Sequence, residues 1–406
     1  MKQNFYIHTF NDEQMHHVLK KLVDNDIIDN ETMEKCRYIY DVNNKKDLKL
    51  NYEWLQGYNH NEANFKSPKV LIKINKEDVD KIFEILNVKR YKNNFCWYPS
   101  QPDKKYKYVK GNTTNKYPIF VISKGRYNVE LNKKLIYQAP LTIKYLEKCN
   151  IDYKIIVEKQ EYQEYCKSIN KENIIILPDE YMNKNQGSIP VRNFVHHYNL
   201  KNKNHAYWIL DDNIRNYIYN DNDERFKITD GLAFRLNENI LDNHQNLYLT
   251  GHQYKMFIMP KQSITPIISN HTRVYSSILI KTDIPVINEN NDIWRGKYNE
   301  DTDLSLRILK LGLPTLITNN IVADKEKTGG KGGNELIYKE DNNASGELKS
   351  KSLLEHHSDV VDIVKRYGRT HHKIKNEFIN KCREEYPLIK NDEMNIIKFN
   401  IEFYNE

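Results

Sequence analysis

From residue 117 onward the chain is paced by short apolar runs, each stopped by polar residues. Pro118–Ile122, Tyr153–Val157, Ile174–Leu177 and Tyr207–Leu210 are four such runs. Runs of this length without alternation read as strands buried on both faces of a sheet. Between them, Ala139–Cys149, Glu161–Ser168 and Val191–Tyr198 have helical spacing. Strand and helix alternating over short links predict a doubly wound, mostly parallel α/β sheet flanked by helices. After Asn213 the alternation loosens. Phe257–Met259, Ser277–Ile280 and Thr315–Thr318 predict further strands, partly antiparallel, and Asp301–Leu311 predicts a helix with Leu304, Ile308 and Leu311 on one face. This core is expected over residues 116–345.

The flanking regions read differently. Residues 1–115 predict a small α+β module, with helices over Glu13–Leu22 and Lys76–Leu86 and strands over Val70–Ile74 and Asn94–Pro99. The basic, Tyr-rich stretch Lys104–Lys116 reads as a linker or loop. At the other end Ser352–Arg366 predicts a helix, and residues 346–406 a helical segment packing on the core.

Composition narrows the class. A chain of 406 residues accommodates two domains. A net charge of +7, from 62 basic and 55 acidic residues, suits an anionic partner without demanding one. The five cysteines are scattered and form no CxxC pair, which suggests reduced thiols in a cytoplasmic setting. Met1–Tyr6 lacks the apolar core of a signal peptide, and no stretch approaches the roughly 20 apolar residues of a membrane span. A soluble protein without membrane contact is expected.

The candidate chemistry lies at the ends of the predicted strands. Tyr207–Leu210 runs into Asp211-Asp212-Asn213 at the carboxyl edge, where open α/β sheets hold ligands. Adjacent aspartates repel unless something positive sits between them, and a hard divalent cation on oxygen ligands is one answer. A polar turn is the other. Ser123-Lys124-Gly125-Arg126 ends the first strand and offers an Arg fork for phosphate, or an ordinary turn. Glu158 ends the second. Ser188 and Pro190 suit a helix start, which attracts phosphate, with Arg192 one turn in. Trp294-Arg-Gly-Lys-Tyr-Asn-Glu-Asp-Thr-Asp303 opens a helix with three carboxylates, which either complement the helix dipole or supply a base. The glycines of Lys327–Asn334 do not have P-loop spacing and read as a mobile lid or a plain loop.

In this order the segments resemble a family. Pro118–Arg126, Ser188–Asn193, Trp208–Ile214, Tyr298–Arg307 and Tyr367–His372 are similar to motifs of the TET-associated glycosyltransferases, GT-A-type enzymes of phages and of the base J pathway. The resemblance covers about residues 95–375. It implies transfer of a sugar from a UDP-sugar to the hydroxyl of a 5-hydroxymethylpyrimidine, cytosine or uracil, in DNA, with inversion. It further implies Mn²⁺ or Mg²⁺ held by Asp211, Asp212 and Asn213, with His371 or His372 completing the shell. Ser123, Arg126, Glu158, Arg192 and Asp211 would position the nucleotide, with Gly329 and Gly330 in the lid. Asp301 would be the general base, oriented by Glu300 and Asp303. Trp294, Arg295 and Tyr298 would face the acceptor. One departure is that the metal motif reads Asp-Asp-Asn rather than Asp-x-Asp. Three other readings stay open on the sequence: a protein, glycan or lipid acceptor, a catalytically idle nucleic-acid-binding module, and a nucleotidyltransferase.

Overall fold

A computed structural model describes residues 2–9, 12–30, 33, 37–38, 69–88, 95–98, 107–131, 134–137, 139–182, 184–221, 224–258, 266–326, 333, 346–366, 369–390 and 401–404. The chain divides into two compact units, one of Met1–Lys46 with Asn61–Lys105 and one of Asp47–His60 with Tyr106–Glu406.

The first unit is α+β. Strands β1 (Lys2–Thr9), β2 (Arg37–Tyr38), β3 (Lys69–Asn75) and β4 (Phe95–Tyr98) form a sheet in the order β2-β3-β1-β4. Helices α1 (Asp12–Asp24) and α2 (Val79–Leu86) supply Val18, Leu22, Ile82 and Leu86 to its core, against Phe5 and Ile7 of β1.

The second unit is built on a twelve-stranded mixed sheet. Its first half is parallel. Strands β6 (Ile119–Ile122), β9 (Lys154–Val157), β10 (Ile174–Ile176) and β11 (Ala206–Asp211) lie in the order β10-β9-β6-β11, so the third, second, first and fourth of the predicted strands are neighbours. This is the doubly wound order, and open α/β sheets hold their ligands where such an order reverses, here between β6 and β11. The unalternating apolar runs are explained by two cores. Trp208 and Leu210 join Val121 and Ile155 on one face, while Tyr207 and Ile209 join Phe120 and Ile156 on the other. Helices α3 (Leu141–Lys148), α4 (Tyr162–Tyr165) and α5 (Ile189–Lys201) are the crossovers, the first preceded by a hairpin of β7 (Val129–Leu131) and β8 (Lys134–Tyr137).

Beyond β11 the sheet continues through β16 (Ser277–Lys281), β14 (Leu249–Tyr254), β17 (Leu316–Lys325), β12 (Ile214–Asp221), β13 (Glu224–Ile228), β5 (Lys107–Lys110) and β20 (Glu402–Tyr404), with β15 (Ile268–Asn270) beside β17. Helix α6 (Leu232–Asn243) buries Glu238, which accepts from the backbone N–H groups of Lys116 (2.7 Å) and Tyr117 (3.1 Å) and from Trp208 Nε1 (3.0 Å). One buried carboxylate thus ties the entry of β6 to β11. Gly251, in β14, leaves no room for a side chain, because a Cβ there would strike the Ser277 carbonyl and Val274. Gly251→Ala is expected to cost about 1–3 kcal/mol or more through overpacking, read as a lower urea midpoint.

The structure corrects several sequence expectations. Lys107–Lys110 is a strand of the large sheet, paired with β13 and β20, rather than part of a linker. The strand expected at Phe257–Met259 is instead β14, a few residues earlier, and Lys255–Phe257 forms a 3₁₀ turn. The helix expected over Ser352–Arg366 is α8 (Glu347–His357), followed by a hairpin of β18 (Val361–Arg366) and β19 (Arg369–Ile374) and then α9 (Asn376–Glu385). The C-terminal segment is therefore mixed rather than helical. It covers α7 (Glu300–Lys310), burying Leu306 and Leu309 against Leu353, Val361, Ile374 and Phe378. Among the described residues no helix is long and apolar enough to cross a membrane, and Cys96, Cys149, Cys166 and Cys382 are free thiols.

Candidate active site

The end of β11 falls at the reversal point and is gripped from α3. Thr142 Oγ1 donates to the Asp211 carbonyl (2.6 Å) and accepts from Ile214 N–H (2.9 Å), while Thr142 N–H donates to the Asp212 carbonyl (3.3 Å). The turn Asp211-Asp212-Asn213 is held by one threonine, through its hydroxyl and its backbone N–H. From the end of β6, Ser123 Oγ donates to Asp212 Oδ2 (2.7 Å) and Arg126 Nη1 pairs with Asp212 Oδ1. Tyr165 OH is 2.7 Å from Ser123 Oγ and accepts from Arg126 N–H (3.3 Å). Gly125, at φ +66°, makes the tight turn that brings Arg126 back over the strand end. Glu158 stands at the end of β9, 2.6 Å from Lys124 Nζ.

Asp211 faces two cations. Lys325, at the end of β17, donates to its Oδ2 (2.6 Å), and Arg192 Nη2 donates to its Oδ1 (3.2 Å). Burial pushes this carboxyl up, but the charges of Lys325 and Arg192 outweigh it and hold the group down at about 2. Burial likewise lowers Lys325, but Asp211 and Tyr254 beside it more than reverse that and raise it above its ordinary value. Arg192 also donates to Ser188 Oγ (3.2 Å), lies 3.4 Å from Glu300 Oε1, and stacks its guanidinium 4.7 Å above the Trp294 ring. Ser188 is the N-cap residue of α5 but makes no side-chain capping bond; its hydroxyl instead donates to Glu300 Oε1 at 2.6 Å. The two acidic clusters, far apart in sequence, are therefore joined by one buried arginine.

On the α7 side the residues divide. Asp301 is half-buried and accepts from Thr302 N–H (2.7 Å) and Thr302 Oγ1 (3.3 Å). Glu300 is raised by burial, with Arg192 pulling the other way. Asp303 does not join them. It is 1% exposed and its oxygens accept from Arg295 Nε (3.0 Å), Arg307 Nε (2.8 Å) and His357 Nε2 (2.8 Å), so it anchors α8 and the 295 loop to α7. Trp294 and Tyr298 are 2% and 6% exposed, so they are packing residues rather than an open acceptor face, and Arg295 is engaged by Asp303. Trp294 and Tyr298 therefore offer an acceptor little surface, and Asp303 acts on the start of α7 from inside, through Arg295, Arg307 and His357.

The Asp303 hub has a pH consequence. Burial raises its carboxyl, but the His357 hydrogen bond and the Arg307 and Arg295 charges hold it at about 2. A depressed folded-state value gives stability that is present above the unfolded value, about 4, and lost as pH falls toward 2. Wild type is expected to lose on the order of 2 kcal/mol across that window that Asp303→Asn does not lose, measured by urea unfolding from pH 5 downward.

The expected metal shell is not assembled. Among the described residues no three His, Cys, Asp or Glu side chains converge to hold an ion. All four oxygens of Asp211 and Asp212 are taken by Lys325, Arg192, Arg126 and Ser123. Only Asn213 Oδ1, buried and without a partner, remains, and a lone neutral oxygen does not hold a hard dication. His371 and His372 lie on β19, in the hairpin packed on α8. The residues present thus do not fit the metal. Gly329 and Gly330 lie outside the described residues. Gly333, from the same stretch, donates its N–H to the Lys124 carbonyl (2.8 Å), and a Cβ there would sit 3.3 Å from Arg126 Nη2.

The sequence profile of the TET-associated glycosyltransferases matches residues 117–333, more than half of the chain. The chain belongs to that family. As a member it is a glycosyltransferase with a GT-A-like α/β core, and the matched segment runs from β6 through β17 to Gly333, enclosing every residue described above at the carboxyl edge of β6 and β11. No curated protein matches the chain. Several site residues were missed in the sequence, among them Thr142, Lys325 and Lys349. Thr142 sits inside an ordinary helical pattern. Lys325 ends a strand read as stopping at Thr318. Lys349, outside the matched segment, lies on α8, lowered by burial with Asp301 and Glu300 pulling it up, and its carbonyl accepts from Asn299 Nδ2 (2.8 Å). None carries a motif that spacing could reveal.

Proposed function

We propose that this glycosyltransferase moves a sugar from a UDP-sugar to the hydroxyl of a 5-hydroxymethylpyrimidine in DNA. The observation that carries the reading is the Arg192 bridge, which links the reversal-point carboxylate Asp211 to Glu300, the neighbour of Asp301. Donor and acceptor chemistry then share one cleft. The donor diphosphate lies at the carboxyl edge of β6 and β11, facing Arg126, Arg192 and Lys325. Its glycosyl–phosphate bond breaks as the acceptor hydroxyl attacks, and these cations offset the charge that gathers on the leaving phosphate. Asp301 takes the hydroxyl proton, and the attack inverts the anomeric carbon. Glu300, held by Ser188 and Arg192, orients the start of α7. A base in duplex DNA reaches such a cleft only when flipped out or single-stranded.

The test is incubation with UDP-glucose, UDP-N-acetylglucosamine and UDP-arabinose and DNA carrying 5-hydroxymethylcytosine or 5-hydroxymethyluracil, read by nucleoside mass spectrometry. The expected product is a glycosylated nucleoside with UDP released. Transfer to protein, glycan or lipid with none to DNA would replace the acceptor. Pyrophosphate release would replace the reaction class. DNA affinity left unaltered by both Asp211→Ala and Asp301→Ala, without any transfer, would leave a binding module.

A further inference from the structure

We propose that Lys325, held by Asp211, takes the part a divalent cation would play at this edge, so that the donor diphosphate is bound without a metal ion. The proposal rests on the nucleotide-sugar reading above. Lys325 Nζ donates to Asp211 Oδ2 (2.6 Å), Ser276 Oγ (2.8 Å) and Tyr254 OH (3.1 Å), and its side chain is 9% exposed. An ammonium so placed is a fixed positive charge. Two of its three acceptors are hydroxyls, which a phosphate oxygen can replace without unpairing Asp211. The arginines extend the charge on either side: Arg192 on the other oxygen of Asp211, Arg126 on Asp212. Behind Lys325, Tyr254 packs its ring 4.3 Å from Tyr275, and Tyr275 carries the Arg273 guanidinium at 4.4 Å.

The alternative requires a dication to enter between Asp211 and Asp212. It would have to displace the Lys325 ammonium and the Arg192 and Arg126 guanidiniums that already hold this carboxylate pair. Lys325, once expelled, would be left in a nearly closed position without its carboxylate, and a buried charge stripped of its partner is strongly unfavourable. Asp211 is on this account a positioning residue, whose role is to hold two cations toward the donor.

The experiment uses the full chain and three probes: UDP, GDP and Mn²⁺. Calorimetric titration of UDP and GDP is run in EDTA and again in Mn²⁺, and Mn²⁺ alone is titrated by electron paramagnetic resonance. The expected result is nucleotide affinity equal within about twofold in the two conditions, and no stoichiometric Mn²⁺ site on the wild-type protein. Lys325→Met is expected to weaken nucleotide binding by about tenfold or more, while Lys325→Arg retains most of the affinity. The wild-type arms do not depend on any variant folding. Nucleotide binding that appears only with Mn²⁺, or a stoichiometric Mn²⁺ site in wild type, overturns the proposal and leaves the glycosyltransferase reading standing. Failure of both nucleotides to bind in either condition overturns both.

Discussion

Asp301→Asn is expected to lower sugar transfer by about 10²–10⁴-fold, the usual loss on removing a general base, with donor affinity and thermal stability kept. The reason lies in what surrounds the carboxylate. Asp301 accepts from its neighbour Thr302 and is half-buried, so an amide oxygen can keep the local bonds while losing the ability to take a proton. Its neighbours on α7 are differently placed. Glu300 is fastened to Ser188 and Arg192, and Asp303 is enclosed by Arg295, Arg307 and His357. Asp303→Asn should therefore cost stability first, whereas Asp301→Asn should cost turnover alone. Single-turnover transfer, with donor titration and a thermal melt on the same samples, separates the two. Transfer by Asp301→Asn within about threefold of wild type would remove Asp301 from the base position.

Arg192→Ala is expected to be the most damaging single change to the folded site. The side chain is 4% exposed and touches Asp211, Ser188, Glu300 and Trp294. Without it, two half-buried carboxylates lose a shared counter-charge and an indole face loses its cover. Removing one partner of a buried ion pair costs about 3–5 kcal/mol, which urea unfolding would report directly. Donor binding should fall with it. Arg192→Lys should restore only part of either, since a point charge cannot fork between Asp211 and Glu300 while lying flat on Trp294. Stability of Arg192→Ala within about 1 kcal/mol of wild type would mean that the two acidic clusters are not held by this residue.

The parallel half of the sheet was legible because burial on both faces leaves a simple mark: β6, β9 and β11 are apolar at successive positions and feed both cores, and the edge strand β10 carries the same apolar run although Ile176 is exposed. Helix α5 was legible in place but not in purpose. Its buried positions include Arg192, Asn193, His196 and Asn199, which do not form an apolar stripe, because Asn193 holds the 293–294 backbone through three hydrogen bonds. The looser half was misread where pairing across the sheet, rather than local pattern, makes the strand. Lys107–Lys110 is polar enough to resemble a linker, yet it becomes a strand because β13 and β20 flank it.

The sequence by itself determined the alternation of strand and helix, the placing of Asp211-Asp212 at a strand end, and the Asn-Glu-Asp start of α7. These are local properties, written in the order of apolar and polar residues and in single motifs. The tertiary structure alone decided what neutralises the aspartates. Lys325 comes from 114 residues away and Arg126 from 86, and no local pattern encodes a partner at that distance. It also decided which carboxylates of α7 stay half-open and which are locked inside. Adjacent residues of one helix turn reach different surroundings, and only the packing of α8 against that turn shows that Asp303 is enclosed while Asp301 is left half-open.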